Sequence, residues 1–342
     1  MDPFALRQLG RSDLKLPRLG FGGAPLGNLF ERLPDSEAEG TLVAAWEAGV
    51  RLFDTSPWYG RGLSEHRIGR FLCGKPRAEA LLSTKVGRIF TAPADRGAFI
   101  AAERAWAEGL LFEHHHDYTY DGIIRSYEDS LQRLGMDRVD ILIVHDLDAV
   151  SLGSEGLVEA HLAQLATSGF RALEYLKGQG RIGAIGVGIN RLGSIPRFLD
   201  FVHPDFFLVA LPYTLAEQPA LDGELPLCEE RGVSVVVGGV FASGILASGP
   251  VPGARYNYGE PTPAQQEKVR RLETICRGYG VPLAAAALQF PLHHPTVTSV
   301  IPGAIHPEQV RQNVANMRVE IPDALWHELK RERLLREDAP TP

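Results

Sequence analysis

The chain has 342 residues, of which 44% are hydrophobic, and its formal net charge is −7 at pH 7. This length and composition provide enough apolar side chains for one α/β barrel or for two smaller domains. Phosphate binding needs a basic stripe and the sequence has no long run of one charge sign, so nucleic acid is not expected as a partner. The most apolar runs have the length of strands, which excludes a membrane span.

The cysteines indicate the compartment in which the protein works. They are far apart in the sequence and match no metal-ligand spacing: Cys73, Cys228 and Cys276. Reduced thiols of this kind are typical of a cytosolic protein. The first residues show no basic segment followed by an apolar run, so no secretory signal is expected. We therefore predict a cytoplasmic location and no membrane contact.

Short apolar runs alternate with helical patterns along the whole chain, which is typical of βα units and a parallel sheet. A small hairpin is predicted over residues 9–20. Eight strands are predicted at 19–23, 51–54, 81–85, 139–145, 182–187, 206–210, 233–237 and 297–301. Helices are predicted at 36–48, 65–72, 120–134, 156–177, 307–316 and 323–335. We therefore expect a single (β/α)8 TIM-barrel domain over residues 1–342, with an N-terminal β-hairpin and an extra C-terminal helix.

Two long loops, residues 86–118 and 238–263, are predicted at the carboxyl ends of the strands. Long loops at this face of a barrel usually shape the pocket. The first loop contains several aromatic residues and three consecutive histidines, His114 to His116. Neighbouring side chains point to different sides of a strand or helix, so these histidines are not expected to bind a metal ion. We expect one of them, His116, to line the substrate pocket.

Three of the predicted strands end in an ionisable residue, and a tyrosine follows the first of them by one short loop. These residues are Asp54, Lys85, His145 and Tyr59. Strand ends of a parallel barrel converge on one face, where active sites are built. Because buried ionisable groups are costly unless they pair, we expect all four to form one active site. A salt-bridge network at the barrel rim, without a catalytic role, is the alternative.

The four side chains suit proton transfer coupled to hydride transfer. A free tyrosine has a pKa of about 10, and the ammonium of Lys85 is expected to lower that of Tyr59. Asp54 would hold Lys85, and His145 would orient a substrate oxygen. The phenol would then give a proton to an alkoxide or take one from an alcohol. A nicotinamide cofactor would supply the hydride chemistry.

Several segments resemble the signature of the aldo-keto reductases. They are residues 53–65, 83–85, 134–145 and 301–303, and the resemblance covers nearly the whole chain in order. It implies the same (β/α)8 barrel and an NAD(P) cofactor bound without a Rossmann domain. Residue by residue, it implies a catalytic tetrad of Asp54, Tyr59, Lys85 and His145, with Tyr59 as the acid/base.

Finer features resemble the group of D-threo-aldose 1-dehydrogenase, L-fucose dehydrogenase and pyridoxal 4-dehydrogenase. They lie at residues 117–126, 145–146, 186–190 and 238–244. The resemblance implies that a small cyclic hemiacetal, an aldose such as L-fucose or pyridoxal, is oxidised to its lactone. The alternatives are an NADPH-dependent aldehyde or ketone reductase of the same fold and, less expected, a cofactor-sensing subunit of a membrane channel. The oligomeric state stays open.

The expected cofactor contacts follow the same resemblance. The backbone of Gly22 and Gly23 is expected to approach the cofactor, although a tight turn would also need these glycines. Asn190 is expected to hold the nicotinamide amide. Gly238 stands where many relatives place a stacking aromatic residue, and Tyr213 is a candidate substitute or a packing residue. Asn313 would contact the adenine.

The adenosine phosphate is where the sequence departs from relatives that prefer NADP. Those relatives often carry a lysine and an arginine where Gly303 and Gln309 stand here, and a 2′-phosphate needs cationic partners. We therefore expect NAD, with NADP as the alternative. In the substrate pocket, Trp58 is expected to form a wall, with rim packing as the alternative. Asp146 is expected to accept a hydrogen bond from a sugar hydroxyl, with helix capping as the alternative.

Overall fold

A computed structural model of the chain describes residues 1–102 and 105–342. Its strands are, in chain order, β1 (Leu6–Gln8), β2 (Lys15–Pro17), β3 (Phe21–Gly22), β4 (Leu52–Asp54), β5 (Leu81–Val86), β6 (Arg88–Thr91), β7 (Glu113–His116), β8 (Ile141–Val144), β9 (Ala184–Ile189), β10 (Phe206–Ala210), β11 (Ser234–Gly238) and β12 (Val297–Ile301). Its helices are α1 (Asp35–Glu47), α2 (Leu63–Cys73), α3 (Arg96–Ala102), α4 (Tyr120–Leu134), α5 (Ala149–Leu152), α6 (Glu155–Gln164), α7 (Phe170–Gly178), α8 (Ser194–Leu199), α9 (Glu224–Arg231), α10 (Ile245–Ser248), α11 (Pro263–Gly278), α12 (Leu283–Gln289), α13 (Pro307–Arg318) and α14 (Asp323–Arg331).

Eight of the strands form a parallel sheet in the order β3-β4-β5-β8-β9-β10-β11-β12. Parallel bridges from Leu19 to Val300 and from Gly22 to Gly303 join the first strand to the last, so the sheet closes into a barrel. Apolar side chains such as Phe53, Leu142 and Val187 are buried around it. The predicted (β/α)8 barrel is confirmed, because each apolar run finds a parallel partner and the helices cover the outside of the sheet.

The N-terminal hairpin is present, but its first strand, β1, precedes the predicted range 9–20, whereas β2 lies within it. β1 pairs antiparallel with β2, and Gly10 adopts a φ of 51° in the turn between them. An added Cβ at Gly10 would lie 1.9 Å from the carbonyl oxygen of Asp205, so a side chain cannot be accommodated there.

The loop predicted over residues 86–118 contains regular structure. β6 and β7 form an antiparallel hairpin in which Arg88 lies opposite His116, and α3 lies between the two strands. Sequence periodicity missed the hairpin because its strands are four residues long and rich in polar side chains. This hairpin stands beside the carboxyl ends of β5 and β8, where it can shape the pocket.

The helix predicted over 156–177 is divided. α6 ends at Gln164, a π-helical turn covers Leu165–Gly169, and α7 follows. An added Cβ at Gly169 would meet the carbonyl oxygen of Tyr118 at 1.9 Å, so the turn brings the helix backbone against the loop that follows β7.

The extra C-terminal helix, α14, packs on the barrel. Its Trp326 is fully buried, with ring centroids 6.3 Å from Phe290 and 5.4 Å from His293. None of the helices within residues 1–102 and 105–342 combines the length and the apolar character that crossing a bilayer requires.

Candidate active site

The carboxyl ends of β4, β5 and β8 bring the four predicted catalytic residues together. Lys85 Nζ donates to Asp54 Oδ2 at 2.7 Å and to the Thr55 carbonyl at 2.7 Å. The same ammonium lies 4.7 Å from the centroid of the Tyr59 ring. The Tyr59 and His145 rings meet edge to face with centroids 5.8 Å apart. All four side chains line one cavity of about 480 Å³.

The ion pair beneath the tyrosine is almost fully buried. Side-chain exposure is 3% for Asp54 and 1% for Lys85. The second carboxylate oxygen of Asp54 accepts a hydrogen bond from Ser83 Oγ at 2.7 Å. A buried ion pair persists only when its remaining donors and acceptors are satisfied, and these contacts satisfy both carboxylate oxygens and two of the three ammonium protons.

A tight turn places Tyr59 over this pair. The residue begins a 3-10 turn, Tyr59–Gly62, in which Gly60 adopts a φ of 65°. An added Cβ at Gly60 would lie 2.6 Å from the carbonyl oxygen of Gly27, so two turns at the barrel rim pack backbone against backbone. The glycine therefore allows the phenol to face the cavity from a short loop.

The expectation that Lys85 lowers the pKa of Tyr59 is not met. Burial raises the pKa of Tyr59 well above its ordinary value of 10, and the carboxylate of Asp54 raises it further. The physical reason is that Asp54 lies 2.7 Å from the ammonium and opposes its charge, so desolvation of the phenolate dominates. The Arg88 guanidinium acts in the opposite direction. Tyr59 is a protonated phenol at neutral pH.

His145 is a neutral imidazole with a defined tautomer. Its Nδ1 lies 3.0 Å from Ser56 Oγ and 3.0 Å from Arg88 Nη1. A guanidinium only donates, so Nδ1 accepts and the ring proton is on Nε2. Burial and the cations Arg88 and Lys85 lower the pKa of His145 well below its ordinary value of 6.5. The Nε2–H group is therefore a donor at neutral pH, and Asp146 Oδ2 lies 3.2 Å from it.

Sequence reasoning missed Arg88, which joins two of the predicted residues. Besides contacting His145, its guanidinium donates from Nη2 to Asp146 Oδ2 at 3.3 Å. The other carboxylate oxygen of Asp146 accepts from Asn190 Nδ2 at 2.7 Å. Burial raises the pKa of Asp146, although Arg88 opposes this. The signal in the sequence was a cation three residues beyond Lys85, inside a segment predicted only as a loop.

The cavity lining includes most of the predicted cofactor and substrate residues. On the predicted cofactor side these are Gly22, Asn190, Gly238, Gly303 and Gln309. On the predicted substrate side, Trp58 and Asp146 line the cavity beside the tetrad. The aromatic residues Phe30, Trp106, Phe241 and Tyr258 complete its walls, and none of these four was predicted to do so.

Four predicted contacts lie outside the described lining: Gly23, Tyr213, Asn313 and His116. The Gly23 N–H donates to the Asp54 carbonyl at 2.7 Å, which occupies its backbone in the barrel. Tyr213 is fully buried against Phe290, with centroids 5.2 Å apart, which corresponds to the packing alternative. Asn313 is 9% exposed on α13.

His116 lies behind the cavity wall rather than on its surface. Alternate residues of a strand share one face, so His114 and His116 lie on the same side of β7. The ring of His114 packs on Trp58 with centroids 4.8 Å apart, and His116 lies beyond it, 5.2 Å from His114. Burial and the nearby Arg88 lower the pKa of His116 to about 3. The histidine behind the wall is therefore neutral, and any influence on the substrate is indirect.

The cavity extends from the tetrad to the N-terminus of α13, and Gly188 and Gly303 are part of its lining. An added Cβ at Gly303 would lie 2.6 Å from Pro25, so the close packing of these two residues needs a glycine at position 303. The N-terminal end of this twelve-residue helix carries a partial positive charge, which favours a phosphate. The lining therefore fits an extended, phosphate-bearing ligand that would reach from Tyr59 to Gln309 near the start of α13.

Comparisons with known proteins agree with this architecture. The sequence model of the Aldo/keto reductase family matches residues 18–332. The chain is 40% identical over 336 residues to pyridoxal 4-dehydrogenase from Microbacterium luteolum, covering 96% of this chain and 97% of that protein. It is 41% identical over 332 residues to D-threo-aldose 1-dehydrogenase from Pseudomonas sp, covering 96% of each. Among solved structures, the holo form of an aldo-keto reductase from Bacillus halodurans matches with a TM-score of 0.73 at 26% identity and covers 97% of each chain.

Proposed function

Because the chain belongs to the aldo/keto reductase family and is an oxidoreductase acting on CH–OH groups, we propose that it oxidises a small cyclic hemiacetal to its lactone with NAD+. The substrate would be an aldose such as L-fucose, or pyridoxal. The observation that carries the proposal is the pairing of Tyr59 and His145 on one cavity wall above the buried Lys85–Asp54 pair. The names of the two relatives above, which act on pyridoxal and on threo-aldoses, support this substrate class.

In the proposed reaction the cofactor would accept hydride, and side chains of the protein would accept the proton and orient the substrate. A nicotinamide bound in this cavity would supply the hydride acceptor for the hemiacetal carbon, and the hydroxyl on that carbon would lose its proton as the C=O bond forms. Tyr59 must be a phenolate to take this proton, and becomes a phenol; Lys85 lies close enough to favour that phenolate beforehand. His145 donates from Nε2 to the same oxygen and orients it. Asp54 holds Lys85 in place throughout.

Two further groups support recognition of a polyhydroxylated or heteroaromatic ring. Asp146 lines the cavity and is held on one side by Arg88 and on the other by Asn190, so its carboxylate is fixed where it would accept a hydrogen bond from a substrate hydroxyl. Trp58 and Trp106 stand edge to face with centroids 5.7 Å apart and form an apolar wall. Pockets of small-molecule enzymes combine such an apolar wall with a few placed polar groups.

We further propose NAD rather than NADP as the cofactor. Lys85 is the only lysine or arginine among the described residues that line the cavity, and it is paired with Asp54. On α13, Arg311 is exposed and lies 3.3 Å from Glu308. A 2′-phosphate would therefore find the helix N-terminus but no free guanidinium or ammonium of the described lining.

A charge introduced at Gln309 tests the cofactor preference. Gln309 lines the cavity, and its Oε1 accepts from the Ile305 N–H at 2.8 Å. Gln309→Arg should raise the ratio of kcat/KM for NADP+ to that for NAD+ about tenfold, which one charge-assisted contact of about 1.4 kcal/mol supplies. Gln312→Arg, on the same helix but outside the described lining, is the matched control. An unchanged ratio in Gln309→Arg would place the adenosine phosphate elsewhere.

The direct test is a panel of substrates. Reduction of NAD+ and NADP+ is followed by absorbance with L-fucose, D-arabinose, L-galactose, pyridoxal and simple alcohols. Turnover of one hemiacetal with NAD+, and recovery of its lactone, is the expected result. Turnover of simple alcohols alone would contradict the hemiacetal proposal.

One observation favours the alternative, an NADPH-dependent carbonyl reductase. The pKa of Tyr59 is raised, and a protonated phenol is suited to give a proton to a developing alkoxide. The same panel therefore includes NADPH with test aldehydes and ketones. No reaction with any hemiacetal, together with reduction of these carbonyl compounds, would transfer the assignment to the reductase.

A further inference from the structure

We propose that Arg88 is a positioning residue of this active site. By donating to His145 Nδ1 it holds the imidazole in the tautomer whose Nε2–H faces the substrate, and by pairing with Asp146 it fixes that carboxylate on the cavity wall. The inference rests on the proposed function, in which His145 orients the reacting oxygen. It deepens that function, because Arg88 itself lies outside the described cavity lining and acts through its neighbours.

The hairpin of the first long loop holds Arg88 in place. Arg88 is the first residue of β6, where it lies opposite His116 of β7. Its side chain is 5% exposed, and the guanidinium carbon lies 4.9 Å from the centroid of the Trp58 ring. A planar guanidinium with several donors can contact an imidazole and a carboxylate at the same time, which a lysine ammonium does less well.

The tautomer depends on Arg88 because the other neighbour of Nδ1 is ambiguous. Ser56 Oγ lies 3.0 Å from Nδ1 and accepts a hydrogen bond from the Trp58 N–H at 3.1 Å. A hydroxyl can donate to Nδ1 or accept from it, so Ser56 permits either tautomer. A guanidinium cannot accept, so Arg88 permits only the tautomer with the proton on Nε2. Loss of Arg88 would leave the tautomer to Ser56 and to Asp146 Oδ2, which lies 3.2 Å from Nε2, and would weaken the preference.

The titratable and charged groups that face His145 from each neighbouring element decide its protonation. They are Lys85 from β5, Arg88 from β6, His116 from β7, Tyr59 from the turn after β4, and Asp146 from the loop after β8. The two cations and burial lower the pKa of His145. Asp146 Oδ2 lies 3.2 Å from Nε2 and would favour an imidazolium if Arg88 no longer neutralised it.

The experiment compares the wild type with Arg88→Met and Arg88→Lys by NMR of the imidazole nitrogens, without substrate or cofactor. His145→Asn identifies the His145 signals. The wild type should show the Nε2–H tautomer without titration down to pH 6. Arg88→Met should show His145 titrating with a raised pKa, or a mixture of tautomers. Arg88→Lys should keep a low pKa, because the charge remains, with the tautomer less strictly held.

Kinetics gives a second readout. In Arg88→Met, kcat for the substrate found in the panel should fall about 100-fold, at the low end of what loss of an acid–base group costs, with KM changed much less. Its kcat should also fall further below about pH 7 as His145 becomes charged. The kcat of Arg88→Lys should lie between that of the wild type and that of Arg88→Met. Arg77→Met removes another partly buried arginine–carboxylate pair, with Asp140, away from the cavity, and should keep the wild-type pH profile.

The outcomes separate this inference from the proposed function. A His145 signal in Arg88→Met with the tautomer and titration of the wild type overturns the inference, as does a wild-type kcat and pH profile. If Arg88→Met does not fold, Arg88→Lys is the variant that tests the inference. If His145 in Arg88→Lys keeps the wild-type tautomer strictly and kcat is that of the wild type, the inference is overturned. The NMR arms need no substrate, so they test Arg88 even if every hemiacetal in the panel fails to react.

Discussion

At Tyr59, the phenol faces the cavity with Lys85 and His145 as its ionisable neighbours. Tyr59→Phe removes the one hydroxyl that the proposed mechanism uses, while the ring that shapes the cavity stays. Turnover should fall at least 100-fold, since a positioned acid or base contributes about 10²- to 10⁴-fold. Cofactor binding, measured by calorimetry, should be unchanged. Tyr279→Phe, whose hydroxyl contacts Glu328 at the surface, is the control. Wild-type turnover in Tyr59→Phe would exclude Tyr59 as the acid/base.

The raised pKa of Tyr59 sets the pH dependence of the reaction. Because burial keeps the phenol protonated at neutral pH, the phenolate needed to accept a proton becomes populated only as the pH rises. The rate of oxidation should therefore increase from pH 7 through pH 10, by at most tenfold per unit. Steady-state kinetics in overlapping buffers measures this. A profile for oxidation that is flat over this range would contradict a proton transfer to Tyr59 in the slow step.

Among the elements, α2 connects the Tyr59 turn to the neighbouring strands and to α4 through buried hydrogen bonds. Ser64 at its start contacts Thr55 at 2.8 Å and donates to the Gly23 carbonyl at 2.7 Å. Buried Glu65 accepts from Thr84 at 2.6 Å and pairs with Arg133 of α4. The close approach of α2 to α4 is therefore part of what holds the active-site strands in register.

Gly69 of α2 permits this approach. An added Cβ would lie 2.1 Å from the carbonyl oxygen of Leu134, so Gly69→Ala should lower the free energy of unfolding by about 1–3 kcal/mol, as overpacking does. Gly156→Ala in α6 is the matched control, because an added Cβ there meets nothing within 4 Å. It should be neutral or stabilising by up to about 1 kcal/mol. Urea denaturation measures both, and equal stability of the two variants would refute the close-packing argument.

For the whole molecule, buried neutral histidines predict loss of stability in acid. Burial lowers the pKa of His116 to about 3 and that of His293 to about 4, and the pKa of His145 is also lowered. Between these values and the unfolded value near 6.5, the unfolded chain binds more protons than the folded one. This contribution to stability is therefore complete above about pH 6.5 and is lost as the pH falls toward 4.

Denaturation at pH 8, 6.5 and 5 measures that loss. His116→Phe keeps an aromatic ring behind the cavity wall but removes the titrating group, so the decrease in stability between pH 6.5 and 5 should be smaller than in the wild type. His306→Phe replaces an exposed imidazole that lies 3.3 Å from Glu37 and is the comparison. An identical pH slope in the wild type and His116→Phe would show that His116 is not titrating between the two states.

The sequence determined the barrel and which four ionisable residues meet at one face of it. The alternation of apolar runs and helical patterns is a local property of the chain, and it predicts eight βα units without knowledge of long-range contacts. The strand-end positions of Asp54, Lys85 and His145 follow from the same pattern, because the ends of parallel strands converge on one face. The same pattern does not predict short or polar strands such as β6 and β7.

The tertiary structure decided which side chains meet and in what protonation state. Arg88 contacts His145, 57 residues away in the chain, and no periodicity encodes that contact. His116 lies behind Trp58 and His114 rather than on the cavity surface, because the pairing of β6 with β7 sets which residues face inward. The pKa of Tyr59 rises rather than falls, because desolvation and the paired charge of Asp54 depend on three-dimensional packing.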